Sequence, residues 1–586
     1  RITEFGLCPA LSLLIKTTGR LMKWIYPDIY GDDIFEFSRQ FGLSYLYTTI
    51  LLNRDIRSKY MLDKYFDDST YSLYDPFSIQ DMEKAVSLLL SAFEDKKKIL
   101  IYGDYDVDGV TSASILYLFL RDMTETVYYY IPEREKEGYG VSREGIDYAI
   151  EREIDLILTC DCGITAHDEV AYAKENGIGV IITDHHEQAV HLPKALAVLN
   201  PKRLDETYPF RELCGAGVVF KLLEAICMRL YGSAEKAAEY LDLVAIGTAA
   251  DIVPLADENR SLVREGLRRI RRHDCRLGVL ELFNVCKMNA DDISVINIVF
   301  GLAPRLNAVG RMGSAARAIT LLTTDERYIA RQYSNILHKE NEERQKVERN
   351  VTREAVRMVY EKYGERLPNA LVLYGDWHPG VIGIVSSKIK DKFNRPVFMI
   401  ALKDGEGKGS GRSIDAFDLH TALSACAEHL EGHGGHQMAA GLTVLEKNIP
   451  DFEKAFLDYA KKNITSDMLE PVIYVDADIE MPDINEKLMD FLQNMEPFGP
   501  ANMRPKFSLK NIMPRNPVIL KEKHLRFNIK ENDQTFNCIG WNMLEYFELL
   551  MDPSQRIDIV FVPTINEWNG TKRIQLVIKD IRRHIP

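Results

Sequence analysis

The 586-residue sequence has no run of about 18 apolar residues, the length that a helix needs to cross a bilayer. This absence excludes a helical membrane protein. Cysteine is scarce: there are nine, an odd number, and no Cys-x-x-Cys pair, which argues against a disulfide framework and favours reduced thiols in the cytoplasm. Basic residues are also outnumbered, because 73 Lys and Arg face 87 Asp and Glu, a net charge of −14. Taken alone, this acidic average argues against a nucleic-acid-binding protein.

The sequence has ample apolar material, 46% of its residues, and its length predicts about three to five domains. A charged stretch without Gly or Pro at 325–363 predicts a long exposed helix that connects two bodies. We expect residues 1–21 to be an upstream or non-native segment, with Met22 as the natural start. The remaining predicted regions are an N-terminal extension at 22–80, an α/β domain at 81–324, the connecting helix at 325–365, a smaller α/β domain at 366–465 and a β-barrel at 466–586.

The region from about residue 81 onward alternates short apolar runs with helical stretches. The runs lie at 99–102, 126–131, 156–159, 180–183 and 197–200. Strands that alternate with helices of this length predict βαβ units and a parallel sheet. Because ligands of such sheets bind at the carboxyl ends of the strands, the residues that follow each run are candidate site residues.

Acidic and histidine residues follow several of these predicted strands. They are Asp104, Asp106 and Asp108 after the first run, Asp161 after the third, Asp184, His185 and His186 after the fourth, and Asp251 after an apolar helical run at 241–248. The first three alone are also compatible with an ordinary acidic turn or a calcium loop. Together, carboxylate and imidazole ligands favour Mn²⁺ or Mg²⁺. Their number is sufficient for two cations, a pair that activates water and clamps a phosphoryl group.

In their order, these motifs resemble the four motifs of the DHH phosphoesterase superfamily and, within it, the RecJ exonuclease family. Segments at 303–311, 377–384, 409–413, 434–441 and 495–499 resemble the same family. The resemblance implies an α/β fold with a parallel-sheet DHH catalytic domain, a long connecting helix, a smaller α/β DHH-associated domain and a C-terminal β-barrel of the OB-fold.

The resemblance also assigns roles to individual residues. It implies that the metal ligands are Asp106, Asp108, Asp161, His185 and Asp251, with Asp161 as the bridging carboxylate. It makes His186 a polariser or proton donor near the scissile phosphate. Many relatives carry a histidine at the position of Tyr102, so Asp104 is expected either to fill that coordination site or to orient a ligand.

Glycine-rich segments of the smaller α/β domain contain residues suited to binding phosphate. Glycines let backbone amides approach phosphate oxygens, and an arginine provides a planar anion fork. The resemblance implies that His436 stabilises charge on the reacting phosphate and that the 5′ phosphate is read by Ser410, Arg412, Arg305, Arg311 and Lys388. The basic run at 268–272 has two open interpretations, a DNA contact or a solvated helix face.

The C-terminal part is locally basic, because residues 501–586 contain 14 Lys and Arg against 9 Asp and Glu. Basic grooves with aromatic platforms hold single strands. Six aromatic residues lie among these charges, and we expect four of them to form the barrel core: Phe507, Phe527, Phe536, Trp541, Phe561 and Trp568 are the six candidates.

These inferences predict a metal-dependent 5′→3′ exonuclease that uses two Mn²⁺ or Mg²⁺ ions and hydrolyses single-stranded DNA to 5′ mononucleotides in recombination and repair. The expected partners are single-stranded DNA, a helicase and a single-strand-binding protein. We expect a cytoplasmic monomer without membrane contact. One alternative is a small-substrate phosphodiesterase that acts on oligoribonucleotides or cyclic dinucleotides. A catalytically silent scaffold is disfavoured because the ligand positions are retained.

Overall fold

The computed structural model describes residues 22–29, 31–66, 73–134, 136–312, 314–364, 366–531, 534–568 and 570–585. The segment at 1–21 therefore lies outside the described residues, as do the side chains of Arg311 and Trp568. The chain divides into two compact units. Among the described residues, the first unit lies within Asp67–Arg353 and Pro497–Met503, and the second contains the others. Within the described residues, no helix combines the length and apolar character needed to span a membrane.

A five-stranded parallel sheet organises the first unit, as the sequence predicted. Its strands lie in the order Val127–Tyr130, Ile99–Gly103, Leu156–Cys160, Gly179–Thr183 and Ala197–Leu199. The strands Ile99–Gly103 and Leu156–Cys160 are buried throughout. Apart from Thr159 their residues are mainly apolar, because helices cover both faces of the sheet and leave no solvated face.

Alternate residues of these strands enter two separate hydrophobic cores. Ile99 and Ile101 pack into the larger core with the helices Met82–Glu94, Val107–Leu120, Gly215–Tyr231 and Leu241–Asp251. Leu100 and Tyr102 face the other side, against the helices Arg143–Glu151 and His167–Glu175. Successive side chains of a strand point to opposite faces, so this division follows from the period of two. The remaining helices of this unit are Asp257–Arg271, Leu277–Cys286, Val295–Asn297, Ala303–Met312 and Ala316–Thr323, with a π-helical turn at Ile298–Leu302 and 3₁₀ turns at Pro76–Ser78, Glu235–Tyr240 and Ala290–Asp292.

The predicted connecting helix is present and runs over Arg327–Tyr363. The expectation that it is exposed was wrong for one face. Residues three or four positions apart form a buried stripe, as the helical repeat of 3.6 residues requires. The stripe consists of Ala330, Ser334, Leu337, Asn341, Arg344, Glu348, Val351, Ala355 and Val359. Its middle is polar, so no apolar periodicity revealed it, and Arg344 Nη1 pairs with Glu348 Oε2 at 2.9 Å.

The second unit contains a mixed five-stranded sheet in the order Gly432–Gly435, Ala439–Leu445, Glu406–Arg412, Val397–Lys403 and Leu371–Gly375. Only the last two strands in this order pair in parallel. The helices Pro379–Phe393, Leu419–Ser424 and Ile449–Asn463 belong to this region. Short 3₁₀ turns lie at Ala427–His429, Glu446–Asn448, Asp467–Leu469 and Met481–Asp483.

The C-terminal region forms a seven-stranded sheet, in agreement with the predicted β-rich domain. The order is Ala477–Asp478, Phe507–Ile512, Ile557–Trp568, Thr571–Arg583, Gln534–Gly540, His524–Glu531 and Pro514–Leu520. The helices Glu486–Asn494 and Phe547–Met551, and a 3₁₀ turn at Leu544–Tyr546, accompany it. Of the five candidate aromatic side chains that the structure describes, four are buried: Phe507, Phe527, Phe536 and Phe561. Trp541, in contrast, is 54% exposed.

The N-terminal residues pack within the second unit. The strand Lys23–Ile25 pairs in parallel with Val472–Tyr474, and the helices Gly31–Phe41, Tyr45–Leu52 and Lys59–Phe66 follow it. Trp24 Nε1 donates a hydrogen bond of 2.6 Å to Oδ2 of the buried Asp580. A contact between residues so far apart in sequence gave no signal in the amino-acid sequence.

Candidate metal centre

The carboxyl ends of three neighbouring strands meet at one edge of the parallel sheet. Gly103 lies opposite Cys160, and Cys160 lies opposite Thr183. The residues that follow these three positions are acidic: Asp104, Asp161 and Asp184. The register of the sheet therefore brings together side chains that are far apart along the chain.

We use the name Asp–His cluster for the side chains that converge at this edge: Asp104, Asp106, Asp108, Asp161, His185, His186 and Asp251. Within it, three overlapping triplets place one possible ligand atom from each residue within 4.8 Å of the others. The triplets are Asp104, Asp106 and Asp161; Asp108, His185 and Asp251; and Asp161, His185 and His186. The geometry thus groups every metal-ligand candidate of the sequence analysis.

Several buried atoms of this cluster have no hydrogen-bond partner. His185 Nε2 lies 3.0 Å from Asp161 Oδ1, 3.7 Å from Asp251 Oδ2 and 3.8 Å from Asp108 Oδ2. Nevertheless His185 Nε2, Asp161 Oδ1, Asp251 Oδ2 and Asp104 Oδ1 form no hydrogen bond. A buried polar atom without a partner costs about 1–3 kcal/mol, and four that converge fit a cation-binding site. The donor set, carboxylates with one imidazole, suits Mn²⁺ or Mg²⁺.

The ionisation of the cluster reflects burial and repulsion between carboxylates. Burial, followed by the charges of the neighbouring aspartates, raises the pKa of Asp108 and of Asp161 well above the usual range. The same two causes raise the pKa of Asp104 to about 8 and that of Asp251 to about 6. Burial, aided by the positive charge of His186, lowers the pKa of His185 to about 3. A neutral imidazole among crowded carboxylates is the state in which a divalent cation is bound most readily.

Backbone groups hold the carboxylates of Asp106 and Asp108 in place. Asp106 caps the helix Val107–Leu120 and accepts a 3.0 Å hydrogen bond from Gly109 N. Asp108 accepts bonds of 2.6 Å from Gly215 N and 2.9 Å from Ala216 N. These amides begin the 17-residue helix Gly215–Tyr231, whose N-terminal partial positive charge favours a carboxylate. Sequence reasoning missed this contribution, because the two segments are more than one hundred residues apart.

Asp184 orients the two histidines that follow it. Its Oδ1 accepts hydrogen bonds from His185 N at 2.7 Å and His186 N at 3.1 Å and lies 2.7 Å from His186 Nδ1. Its Oδ2 accepts from Ile164 N at 2.9 Å. Burial alone would raise the pKa of Asp184, but the bond with His186 holds it below the usual range. Burial by itself would lower the pKa of His186, but the hydrogen bond with Asp184 and the charge of that carboxylate raise it to about 9.

Tyr102 takes no part in the cluster. Its buried hydroxyl accepts a 3.0 Å hydrogen bond from Ser142 N on the opposite face of the sheet. Gly145 lies directly beside the ring, since a Cβ atom there would be 2.3 Å from Tyr102 Cε2. Asp104, in contrast, lies within ligand distance of Asp106 and Asp161. Whether Asp104 is a ligand or orients one stays a prediction.

Residues that the sequence analysis did not select also surround the cluster. Tyr139 places its hydroxyl 3.0 Å from His186 Nε2. Asn200 follows the strand Ala197–Leu199 at the same edge of the sheet and donates a 2.9 Å hydrogen bond to His186 O. Lys202, whose side chain is 18% exposed, is near enough for its positive charge to act on His185 and Asp251. The position of Asn200 at the end of a predicted strand could have identified it from the sequence. No sequence pattern marks the contact of Tyr139.

The predicted phosphate-binding residues are distributed over both units. In the first unit, Arg305 belongs to the helix Ala303–Met312, and Arg311 is part of the same helix, although its side chain lies outside the described residues. This helix touches the loop of the cluster, because a Cβ atom at Gly310 would be 2.7 Å from Tyr105 O. The basic run at 268–272 forms local contacts, including a 2.7 Å ion pair between Arg269 and Asp274.

The other phosphate-binding candidates lie in the second unit. Arg412 Nη1 donates to Gly411 O at 2.7 Å and to Ser410 Oγ at 3.4 Å. Lys388 is exposed on the helix Pro379–Phe393. His436 is exposed in the turn between the strands Gly432–Gly435 and Ala439–Leu445. The structure thus brings Ser410 and Arg412 together, and the functional roles of all four residues stay predictions.

Three protein-family models match consecutive parts of the chain. Residues 98–248 match the model described as DHH family, N-terminal domain. Residues 367–462 match the DHHA1 domain, and residues 475–580 match the RecJ OB domain.

Comparisons with individual proteins extend over most of the chain. The chain is 38% identical to the single-stranded-DNA-specific exonuclease RecJ of Bacillus subtilis over 95% of its own length and 70% of that protein. It is 33% identical to the protein of the same name from Haemophilus influenzae, over 90% of this chain and 95% of that one. The crystal structure of Thermus thermophilus RecJ in complex with Mn²⁺ is similar with a TM-score of 0.82 and 30% identity, covering 96% of this chain and 80% of that one.

Proposed function

Because the chain belongs to the RecJ family of single-stranded-DNA-specific exonucleases, we propose that it hydrolyses single-stranded DNA from the 5′ end and releases 5′ mononucleotides. The observation that carries this proposal is the Asp–His cluster, in which four buried, unpartnered ligand atoms converge at the carboxyl edge of a parallel sheet. The match of residues 475–580 to the RecJ OB domain favours a polymeric substrate over the small-substrate alternative.

The cluster would hold two divalent cations, Mn²⁺ or Mg²⁺. The proposed ligands are Asp106, Asp108, Asp161, His185 and Asp251. Asp161 is the proposed bridge, as the family resemblance implies, because a carboxylate has two oxygens with which to bridge two cations. Asp104 completes the set on the side of Asp106. When bound, such cations lower the pKa of water and neutralise charge on a phosphoryl group.

The protein groups around the cluster supply orientation and protons. Asp184 fixes the ring of His186 through Nδ1. Nε2, which lies 3.0 Å from the Tyr139 hydroxyl, would exchange this contact for one with the scissile phosphate. The raised pKa of His186 keeps this imidazole protonated near neutrality, as a donor to a phosphate oxygen or leaving group requires. Gly215 N and Ala216 N prevent Asp108 from turning away from its neighbours.

The second unit would bind the DNA strand. We assign Ser410, Arg412 and Lys388 to phosphate recognition and His436 to charge stabilisation on the reacting phosphate. Exposed Trp541, on a locally basic domain, offers a stacking platform for a base. We further propose a monomer that acts in the cytoplasm, in recombination and repair, together with a helicase and a single-strand-binding protein.

Strand polarity is tested with single-stranded oligonucleotides labelled at either end. We expect immediate release of a 5′-terminal label as a mononucleotide with Mn²⁺ or Mg²⁺ and no release in the presence of chelator. A matched duplex serves as the substrate control and should resist. Release from the 3′ end first would refute the proposed polarity, and activity that survives chelation would refute the metal requirement.

The cluster itself is tested with Asp161→Ala. We expect complete loss of cleavage, weakened Mn²⁺ binding in calorimetry and retained affinity for single-stranded DNA. Asp168→Ala is the matched control, since Asp168 is an exposed carboxylate on the next helix of the same unit. Full activity of the Asp161 variant would contradict the assignment of the metal site.

A further inference from the structure

The guanidinium of Arg305 is held at two of its three nitrogens by neighbours within the first unit. Nε donates a 3.1 Å hydrogen bond to His338 Nδ1, on the long helix Arg327–Tyr363. Nη1 donates a 2.7 Å hydrogen bond to Gly301 O. Because a guanidinium is planar and rigid, two such contacts fix the plane and the direction of the third nitrogen, Nη2.

The chemistry of the first contact defines the state of His338. Arginine nitrogens only donate, so His338 Nδ1 must be the acceptor and carries no proton. In the neutral ring the proton is therefore on Nε2, which faces Glu342 Oε1 at 3.6 Å, one helical turn further along. The negative charge of Glu342 at this distance favours a proton on Nε2, the tautomer that Arg305 needs.

The second contact lies at an irregular stretch of backbone. The π-helical turn Ile298–Leu302 ends directly before the helix that carries Arg305, and π-helical turns are frequent at functional sites. At this junction the carbonyl of Gly301 accepts the hydrogen bond from Arg305 Nη1.

This arrangement positions Arg305 without neutralising it. Both acceptors, an imidazole nitrogen and a backbone carbonyl, are uncharged. Among the described residues no carboxylate forms an ion pair with Arg305, and no protein acceptor for its Nη2 is present. A carboxylate in place of His338 would hold the arginine equally well but would offset its charge. An oriented, uncompensated guanidinium with one free edge is suited to a phosphate oxyanion.

We propose that His338 is a positioning residue that aims Arg305 at the 5′ phosphate of the DNA strand. This inference rests on the proposed function, which supplies the phosphate ligand. The connecting helix is then part of the recognition site as well as a link between parts of the chain. His338 does not touch the substrate; it acts through Arg305 alone.

The test measures DNA affinity separately from cleavage. Binding of 5′-phosphorylated and 5′-hydroxyl single strands is measured by fluorescence anisotropy on the Asp161→Ala background at constant salt. We expect His338→Phe to weaken binding of the phosphorylated strand about tenfold, the loss associated with one hydrogen bond to a charged group, and to leave the hydroxyl strand unchanged. His338→Gln, whose side-chain oxygen accepts a hydrogen bond, should restore most of the affinity.

Two further variants distinguish positioning from general structural damage. Arg305→Ala should show the same selective loss, and adding His338→Phe to it should have no further effect, because the two residues act as one unit. His273→Phe is the control for the same replacement at an exposed histidine of the same unit. Equal losses for both DNA ends, additive effects with Arg305→Ala, or no loss in His338→Phe would each overturn the proposal. Since anisotropy needs no cleavage, failure of the exonuclease assay is a separate result.

Discussion

Gly215 tests whether the metal centre depends on close packing between a helix and the sheet. A Cβ atom at this position would lie 2.7 Å from Asp161 Cβ and 2.8 Å from Asp161 Oδ1. Such contacts are about 0.6–0.7 Å shorter than 3.4 Å, the lower limit of ordinary van der Waals contact. Gly215→Ala must therefore move either the Asp161 carboxylate or the start of the helix, whose first amides bind Asp108.

The expected effect on catalysis can be worked out from this displacement. A shift of about 1 Å in a reacting group can lower the rate about 100-fold, so a shift of about 0.6 Å predicts a loss between about 10-fold and 100-fold in kcat. Stability should change little, because alanine favours a helix over glycine by about 0.5–1 kcal/mol and offsets part of the overpacking.

The assay is steady-state hydrolysis of a 5′-labelled single strand, with the apparent Mn²⁺ affinity measured in parallel. Gly217→Ala is the matched control: its Cβ would lie 3.2 Å from Leu213 Cδ2 and 3.3 Å from Leu213 Cβ, looser contacts with a residue outside the Asp–His cluster. We expect this variant to stay within about twofold of the parent. Wild-type activity in Gly215→Ala, or equal losses in both variants, would refute the packing argument.

Three further predictions concern stability. Lys221 Nζ lies 2.6 Å from the buried carboxylate of Glu224 and 3.3 Å from that of Glu258. Lys221→Met leaves both charges uncompensated and should lower the free energy of unfolding of the first unit by about 3–5 kcal/mol. An unchanged thermal transition by circular dichroism would contradict this. Trp24→Phe should lower the free energy of unfolding of the second unit, measured in urea, by about 1.5–3 kcal/mol, because the buried Asp580 loses a charged hydrogen bond. Hydrolysis at the Asp–His cluster should persist. Loss of hydrolysis without loss of stability would argue against this prediction. Removal of divalent cations should lower the thermal transition of the first unit, because the crowded carboxylates then repel; a transition insensitive to added Mn²⁺ would be the opposite result.

The sequence predicted the parallel sheet and the site because both depend on local patterns. Apolar runs that alternate with helices define strands, and acidic residues directly after such runs must share one edge of a parallel sheet. The convergence of Asp104, Asp161 and His185 at that edge follows from this rule. The average charge of −14, which argued against a nucleic-acid enzyme, concealed both this cluster and a basic C-terminal region.

Only the tertiary structure decided how these groups are held. The amides of Gly215 and Ala216 reach Asp108 across more than one hundred residues, and Arg305 reaches His338 from another helix. No periodicity or motif marks such pairs, because a hydrogen bond across the fold depends on where the elements pack. The polar stripe of the connecting helix was hidden for the same reason. The sequence by itself determined which chemistry meets at the sheet edge; the packing of distant segments decided how that chemistry is oriented.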